Sequence, residues 1–126
     1  MSNPSYIGIK RNNSYYYVYC HNGKSLSENG KTLYENYKTT EQVQELLEHG
    51  NMSYITTRPE EKQYYKFRGQ KGYRGTYNVD RFHRPREADG GTPCYLWNGS
   101  EWLYSPEDDE IWVPLAAVFQ KQLEWC

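Results

Sequence analysis

Two strand-turn-strand patterns constrain the fold of this chain more than any other feature. Residues 94–104 read Cys-Tyr-Leu-Trp-Asn-Gly-Ser-Glu-Trp-Leu-Tyr, with β-forming aromatic residues on both sides of Asn98-Gly99. Asn-Gly suits the two left-handed positions of a type I′ turn, so this segment predicts a β-hairpin in which Tyr95 faces Trp102. Residues 6–10 and 15–20, which flank an Asn pair, predict another hairpin.

Three further segments have the apolar spacing of helices. Ser25-x-x-Glu28 and Thr39-x-x-Gln42 have the form of capping boxes, and Pro114 suits the first turn of a helix. Apolar residues recur every three or four positions after each of these starts. The helices are predicted over residues 26–37, 40–49 and 114–124.

These elements together predict the α+β class. The expected architecture is a small antiparallel sheet built from the two hairpins, with a third strand at 111–113, covered on one face by two to three helices. A length of 126 residues suits a single domain over 1–126. The 14 Tyr, 4 Trp and 3 Phe supply large rings for the core of this otherwise polar chain.

The sequence favours a cytoplasmic protein. No stretch reaches the roughly 20 consecutive apolar residues of a membrane span, and residues 1–20 lack the pattern of a signal peptide, so no membrane partner is expected. The odd set of three cysteines, Cys20, Cys94 and Cys126, has no close spacing. We expect free thiols in a reducing compartment.

Positive charge is concentrated in one part of the chain. Residues 58–86 hold nine basic and three acidic residues, a net charge of +6, whereas the rest of the chain carries −7. The wider stretch 58–93 has few aliphatic residues, and we expect it to be a basic, aromatic-rich loop region with short strands near 63–68 and 76–79.

This basic segment is the main candidate binding site. It can dock on an acidic protein surface, including a second copy of the chain, or it can bind a polyanion. The simpler alternative is a flexible loop whose charges are solvated and which has no direct role. In the polyanion case the glycines at 69, 72 and 75 present backbone amides to phosphates, and Tyr64, Tyr65 and Phe67 stack on bases. The candidate contact residues are Arg68, Lys71, Tyr73, Arg74, Arg81 and Arg84.

An acidic run forms a second candidate surface. Glu107, Asp108 and Asp109 are followed by a fourth carboxylate at 110, directly before the predicted third strand. Adjacent acidic residues at a turn are typical of a solvated loop, and four charges together can also contact a basic host protein.

The residue types that carry catalysis show no suitable spacing. Cys20 and His21 are adjacent, so in a strand their side chains point to opposite faces. Gly30-Lys31-Thr32 resembles the end of a P-loop, but that motif needs a glycine at the position that Ser25 occupies. We therefore expect a protein that is not an enzyme, with no catalytic residue, no metal ligand and no cofactor.

Five segments in order resemble a family of small proteins encoded by bacteriophages and prophages. The segments are Tyr6-Ile-Gly-Ile-Lys10, Tyr17-Val-Tyr-Cys-His21, Gly30-Lys-Thr-Leu-x-Glu-x-Tyr37, Val43-x-x-Leu46-x-x-x-Gly50 and Trp97-Asn-Gly-Ser-Glu-Trp-Leu-Tyr104. The resemblance covers residues 6–55 and 94–115 and does not extend to 58–93. It implies a phage setting and the cytoplasm of a bacterial host.

Two functions follow from these observations. The first hypothesis is a phage-encoded, non-catalytic binding protein that inhibits a bacterial defence complex, in the manner of an anti-CRISPR protein, or another host complex. The alternative is a nucleic-acid or signalling-nucleotide binding module that uses the basic aromatic segment 58–86.

Overall fold

A computed structural model of the protein describes residues 4–12, 14–23, 25–69, 73–78, 93–105 and 112–124, with the backbone alone at 76–78 and 120–124. Within these residues the chain forms six strands and three α-helices. The strands are β1 (Ser5–Arg11), β2 (Ser14–Cys20), β3 (Thr76–Asn78), β4 (Cys94–Trp97), β5 (Trp102–Ser105) and the two-residue β6 (Val113–Pro114). The helices are α1 (Lys31–Asn36), α2 (Thr40–Leu47) and α3 (Leu115–Glu124). The α+β class is confirmed.

The sheet has the strand order β3-β2-β1-β4-β5-β6, with β1 near its centre. Both predicted hairpins are present, as the antiparallel pairs β1–β2 and β4–β5. Between them β1 runs parallel to β4, with Tyr6 opposite Cys94 and Ile9 opposite Trp97. The prediction of an antiparallel sheet is therefore wrong, because the second hairpin enters the sheet from the same end as β1. The predicted third strand near 111–113 corresponds to β6, which pairs with β5.

The second hairpin differs from the prediction in its turn. Trp97 pairs with Trp102, so the loop has four residues rather than two, and Tyr95 faces Tyr104 instead of Trp102. The Asn98 side chain explains the difference, because its Oδ1 accepts hydrogen bonds from the backbone N–H groups of Ser100 and Glu101, at 3.0 and 2.9 Å. Of the two turn residues only Gly99 is left-handed, with a φ of +107°.

Of the two predicted capping boxes, the structure contains one. Thr39 and Gln42 form the predicted capping box, in which each side chain accepts from the other residue's backbone N–H. Ser25 caps no helix: its hydroxyl donates to Glu28 Oε1 instead, and residues Leu26–Gly30 form a π-helical segment that continues into α1. α2 ends at Leu47, two residues earlier than predicted.

The predicted strand near 63–68 is wrong. Residues Glu61–Gln63 and Tyr65–Arg68 form two 3₁₀ turns, with Tyr64 between them. The Gln63 side chain accepts from the backbone N–H of Glu60 at 2.8 Å, which caps the first turn. The left-handed Gly69, with a φ of +72°, ends the second. The predicted strand near 76–79 is confirmed as β3, which pairs with β2.

The main core lies between the sheet and the helices, and tyrosine rings form much of it. Their polar ends are bonded to backbone carbonyls: the hydroxyl of Tyr64 donates to Leu46 O at 2.6 Å, and that of Tyr37 donates to Thr56 O at 2.7 Å. Burial raises the pKa of both phenols. A tyrosine whose hydroxyl is satisfied in this way buries its ring without leaving an unpaired polar group.

The opposite face of the sheet carries a smaller cluster. Tyr17, Cys94 and Leu96 are buried there, with partly buried aromatic residues around them. Cys20, which lies in the main core, and Cys94 are both free thiols, as predicted. None of the described helices is long and apolar enough to cross a membrane. The prediction of one domain over 1–126 stays a prediction.

Gly50 fixes a close approach between two segments. It follows α2 with a φ of +85°, and a methyl group there would lie 2.1 Å from the carbonyl oxygen of Tyr73. Gly69 is equally left-handed, with a φ of +72°, but a methyl group there would meet nothing within 4 Å. The two glycines therefore separate the cost of backbone strain from the cost of a clash.

We expect Gly69→Ala to lower the free energy of unfolding by about 1–2 kcal/mol, the cost of a left-handed alanine. Gly50→Ala should lower it by at least about 1 kcal/mol more, because the Tyr73 backbone must move. Urea denaturation of both variants measures the difference. Equal losses in the two variants would contradict the close approach at Gly50.

Candidate binding surface

The segment after α2 is held against the end of β2 by backbone hydrogen bonds. Met52 forms isolated bridges with Cys20 on one side and with Tyr64 on the other. The N–H of Asn51 donates to Tyr73 O at 2.6 Å, and the N–H of Tyr65 donates to Asn51 O at 3.2 Å. These bonds fix the backbone of three separate stretches, near 51, 64 and 73, side by side.

Tyr64 and its neighbours lie on different sides of the boundary of the core. Tyr64 is buried in the main core and 1% exposed, whereas Tyr65 and Phe67 lie outside it, and Phe67 is 44% exposed. The ring of His49 packs edge-on against Tyr64 and Phe67, with centroid distances of 5.1 and 4.9 Å. An exposed phenylalanine is thus held by a buried tyrosine and a histidine.

Two basic side chains lie over the aromatic rings of this region. Lys66 Nζ is 5.8 Å from the ring centroid of Phe67 and 5.9 Å from that of Tyr73. Arg68 Cζ is 6.0 Å from the centroid of Tyr65, and Arg68 Nη1 donates to Ser53 Oγ at 2.9 Å. These cation–π contacts hold the charged groups beside the rings.

We call Tyr65, Lys66, Phe67, Arg68, Tyr73 and Arg74 the basic-aromatic surface. Among the described residues, no carboxylate lies within 4.0 Å of its three cations, and the ion pair found is between His49 and Glu48, at 3.3 Å. Arg74 is exposed. Lys66 and Arg68 are exposed as well, and within the described part of the chain no carboxylate neutralises the positive charge of this surface.

A cavity of about 440 Å³ opens beside the basic-aromatic surface. Tyr16 and His49 line it, together with Lys66, Tyr73 and Arg74. Gly75 also lines the cavity and lies directly against Tyr16. A methyl group at Gly75 would lie 2.6 Å from the Tyr16 ring, so this close packing needs a glycine. Two cations, an imidazole, two phenol rings and the carboxylate of Glu48, which lies 3.3 Å from His49 Nε2, border this concave site. The cations outnumber the carboxylate, so the site is suited to an acidic or planar group.

The structure brings together part of the predicted site. Arg68, Tyr73 and Arg74 lie in the basic-aromatic surface, whereas Lys71, Arg81 and Arg84 lie outside the described residues. The acidic candidates Glu107, Asp108 and Asp109 also lie outside them. Tyr64, proposed to stack on bases, is buried in the core instead.

Two contributing residues were missed in the sequence. Lys66 stands between two aromatic residues, a local signal that could have identified it. His49 comes from the end of α2 and reaches Phe67 through tertiary packing, which local sequence does not encode.

The thiol next to His21 is not arranged as a nucleophile. Cys20 Sγ donates to Asn22 O at 3.4 Å and accepts from Asn29 Nδ2 at 3.6 Å. Burial raises the pKa of this thiol to about 12, and these two hydrogen bonds only partly oppose the shift. The His21 ring bonds to the Tyr19 hydroxyl instead, at 2.6 Å. Within the described part of the chain, no three His, Cys, Asp or Glu side chains cluster as metal ligands.

Comparison of the chain with protein-family models, with curated proteins and with solved structures finds no match. Its function is therefore inferred from the chemistry of the basic-aromatic surface.

Because the thiolate is the reactive form, we expect Cys20 to resist iodoacetamide in the folded protein at about pH 8 and to react once urea unfolds the chain. Peptide mapping by mass spectrometry distinguishes it from the other two cysteines. Labelling of Cys20 at the same rate in folded and unfolded protein would contradict its burial.

The raised pKa of Cys20 also makes stability depend on pH. The unfolded thiol ionises near 9.0 and the folded one near 12, so the neutral thiol stabilises the fold below pH 9, and this stability is lost as the pH rises toward 12. The loss approaches about 1.4 kcal/mol per pH unit. Urea midpoints above pH 9 should therefore fall more steeply for the wild type than for Cys20→Ala. Parallel curves would contradict the prediction.

Proposed function

We propose that this protein is a non-catalytic binding protein, encoded by a bacteriophage or prophage, that inhibits a bacterial defence complex or another host complex. The observation that carries the proposal is the exposed Phe67 ring flanked by cations that have no carboxylate partner among the described residues. The basic-aromatic surface is the site of contact.

The composition of this surface favours a protein partner. Arginine and aromatic residues dominate the binding energy of protein interfaces, and an apolar ring at the centre of a ring of polar groups is the usual arrangement. Phe67 lies beside both cations: Lys66 Nζ is 5.8 Å from its ring centroid, and Arg68 lines the same cavity as Phe67. The partner surface that complements it is acidic and has an apolar pocket for the Phe67 ring.

The surface is also held in place before binding. Arg68 is bonded to Ser53 Oγ and, through Nε, to Lys62 O at 3.1 Å, while His49 packs against the ring of Phe67. Side chains ordered in the free protein lose less entropy on association. Such an arrangement supports tight inhibition by a small protein.

The phage setting rests on the five segments that resemble small phage and prophage proteins. A protein of 126 residues that works by covering a functional surface needs a binding face and no catalytic group. The setting places its partner in the cytoplasm of the bacterial host.

A second candidate function is binding of single-stranded nucleic acid or a signalling nucleotide. The observation that favours it is the pairing of Tyr65 and Tyr73 with cations at 6.0 and 5.9 Å, since rings that stack on bases beside cations that contact phosphates are typical of such proteins. The affinity of this mode falls steeply with salt.

A pull-down from bacterial lysate with the tagged full chain, with and without nuclease, tests the proposal. We expect a stoichiometric protein partner that survives nuclease and is lost with the double variant Lys66→Glu/Arg74→Glu. The matched control Arg11→Glu/Lys31→Glu reverses two exposed charges outside the surface and should retain the partner. Recovery of nucleic acid or a nucleotide alone would overturn the inhibitor function in favour of the second candidate.

Phe67→Ala tests the centre of the surface. With the purified partner we expect calorimetry to show an affinity loss of roughly 30-fold or more, as for a central aromatic contact. The free energy of unfolding should fall far less than for a core phenylalanine, because 44% of the side chain is already exposed. Unchanged affinity in a folded Phe67→Ala variant would exclude Phe67 as the anchor.

A further inference from the structure

A second cavity, of about 380 Å³, adjoins the basic-aromatic surface. Phe67 and Arg68 line it, together with Tyr54, Glu61 and Lys62. We call it the second cavity, and the cavity of about 440 Å³ the first cavity. The two share no described lining residue. The basic-aromatic surface therefore borders two separate concave sites.

Phe67 lies at the boundary between the two cavities. Its ring lines the second cavity and is 44% exposed. Two residues that line the first cavity contact the same ring: Lys66 Nζ is 5.8 Å from its centroid, and the centroid of the His49 ring is 4.9 Å away. A ligand that enters both cavities therefore passes over Phe67.

Both cavities have the same balance of charge. The cations and the carboxylate are Lys66, Arg74 and Glu48 in the first cavity and Lys62, Arg68 and Glu61 in the second. Among the described residues, no carboxylate lies within 4.0 Å of these four cations. Two cations and one carboxylate give each cavity a net charge of +1 when His49 is neutral. Each cavity thus complements one singly charged acidic group.

The second cavity also has donors fixed in position for such a group. Arg68 Nε donates to Lys62 O, and one N–H of Arg68 Nη1 donates to Ser53 Oγ. A guanidinium has five N–H groups. The remaining N–H groups of Arg68 have no acceptor among the described residues. Arg68 is therefore held by two bonds and can still donate to a carboxylate.

We propose that the partner enters both cavities with one extended segment of the pattern acidic-x-apolar-x-acidic. In an extended chain every second side chain points to the same side. The two acidic side chains then reach the two cavities, and the apolar side chain between them meets Phe67. This inference rests on the proposed function, because it names the part of the partner that the basic-aromatic surface recognises.

A peptide segment suits this pair of cavities better than nucleic acid does. A base stacks on the face of an aromatic ring, and Lys66 lies over the face of Phe67. An aliphatic side chain contacts the edge of the ring and leaves the lysine in place. A nucleic-acid strand also adds a phosphate with every nucleotide, which Glu48 and Glu61 repel, whereas the proposed segment carries one charge for each cavity.

Titration of the ¹⁵N-labelled full chain with the peptide Ac-Glu-Ser-Leu-Ser-Glu-NH2, followed by NMR, tests the proposal. We expect saturable shifts of the backbone amides of Gly75, in the first cavity, and Phe67, in the second, with Gly99, which lines neither, as reference. The isomer Ac-Glu-Leu-Ser-Ser-Glu-NH2 has the same charge, but its leucine points away from Phe67. It should bind roughly fivefold more weakly or worse.

Single-glutamate peptides and charge variants assign each carboxylate to a cavity. Replacement of either glutamate of the peptide by glutamine should weaken binding by roughly tenfold, because one of two linked contacts is lost. Arg74→Gln and Lys62→Gln should each weaken binding of the two-glutamate peptide. Each variant should spare one of the two single-glutamate peptides, and a different one in each case. Glu48→Gln and Glu61→Gln should strengthen binding, since each removes a repelling carboxylate.

The matched control is Arg11→Gln/Lys31→Gln, at exposed positions that line neither cavity, and it should bind the peptide like the wild type. No saturable shift, equal binding of the peptide and its isomer, or tighter binding of trithymidylate at physiological salt would each overturn this inference. The pull-down decides the proposed function separately. A nuclease-resistant partner that is lost with Lys66→Glu/Arg74→Glu would uphold that function even if the peptide does not bind.

Discussion

The pairing of β1 along both of its edges is the constraint on which the rest of the molecule depends. One edge bonds to β2 over seven residue pairs, and the other bonds to β4 over four. Without the parallel pair, the sheet would divide into two three-stranded units, β3-β2-β1 and β4-β5-β6, whose outer strands have only three and two residues. Joined, they form one surface broad enough to bury the apolar sides of the helices, and the main core exists because of this junction.

Tyrosine lets a polar sequence build that core and also positions the binding surface. The hydroxyls of Tyr16 and Tyr64 donate to the last carbonyls of α2, at Leu47 and Leu46. These bonds satisfy carbonyl groups at the end of the helix, where partners within the helix are missing. They also bind the helix end to β2 and to the 3₁₀ segment. The same contacts therefore hold the fold together and bring His49 next to Phe67.

Features encoded over short distances could be predicted from the sequence, and features that depend on tertiary pairing could not. Both hairpins, α2 and its capping box follow from residues a few positions apart. The parallel pairing of β1 with β4 has no local signal, because either direction buries the same side chains. The turn at Asn98 differs from the predicted two-residue turn because the Asn98 side chain bonds to the backbone, which a dipeptide preference does not reveal. Of the site, the charge was predictable, and the contribution of His49 was not.

The long separation between β1 and β4 has a consequence during synthesis. Tyr6 pairs with Cys94, 88 residues later, so the first hairpin leaves the ribosome with one edge open. The hairpin ends at Cys20, so at about 5–20 residues per second β4 follows it roughly 4–15 seconds later. Throughout that interval the edge that carries Ile7 and Ile9 is a template for pairing with neighbouring nascent chains. Lys10 and Arg11, both exposed at the end of β1, place two charges on this edge and so oppose aggregation until the partner strand arrives.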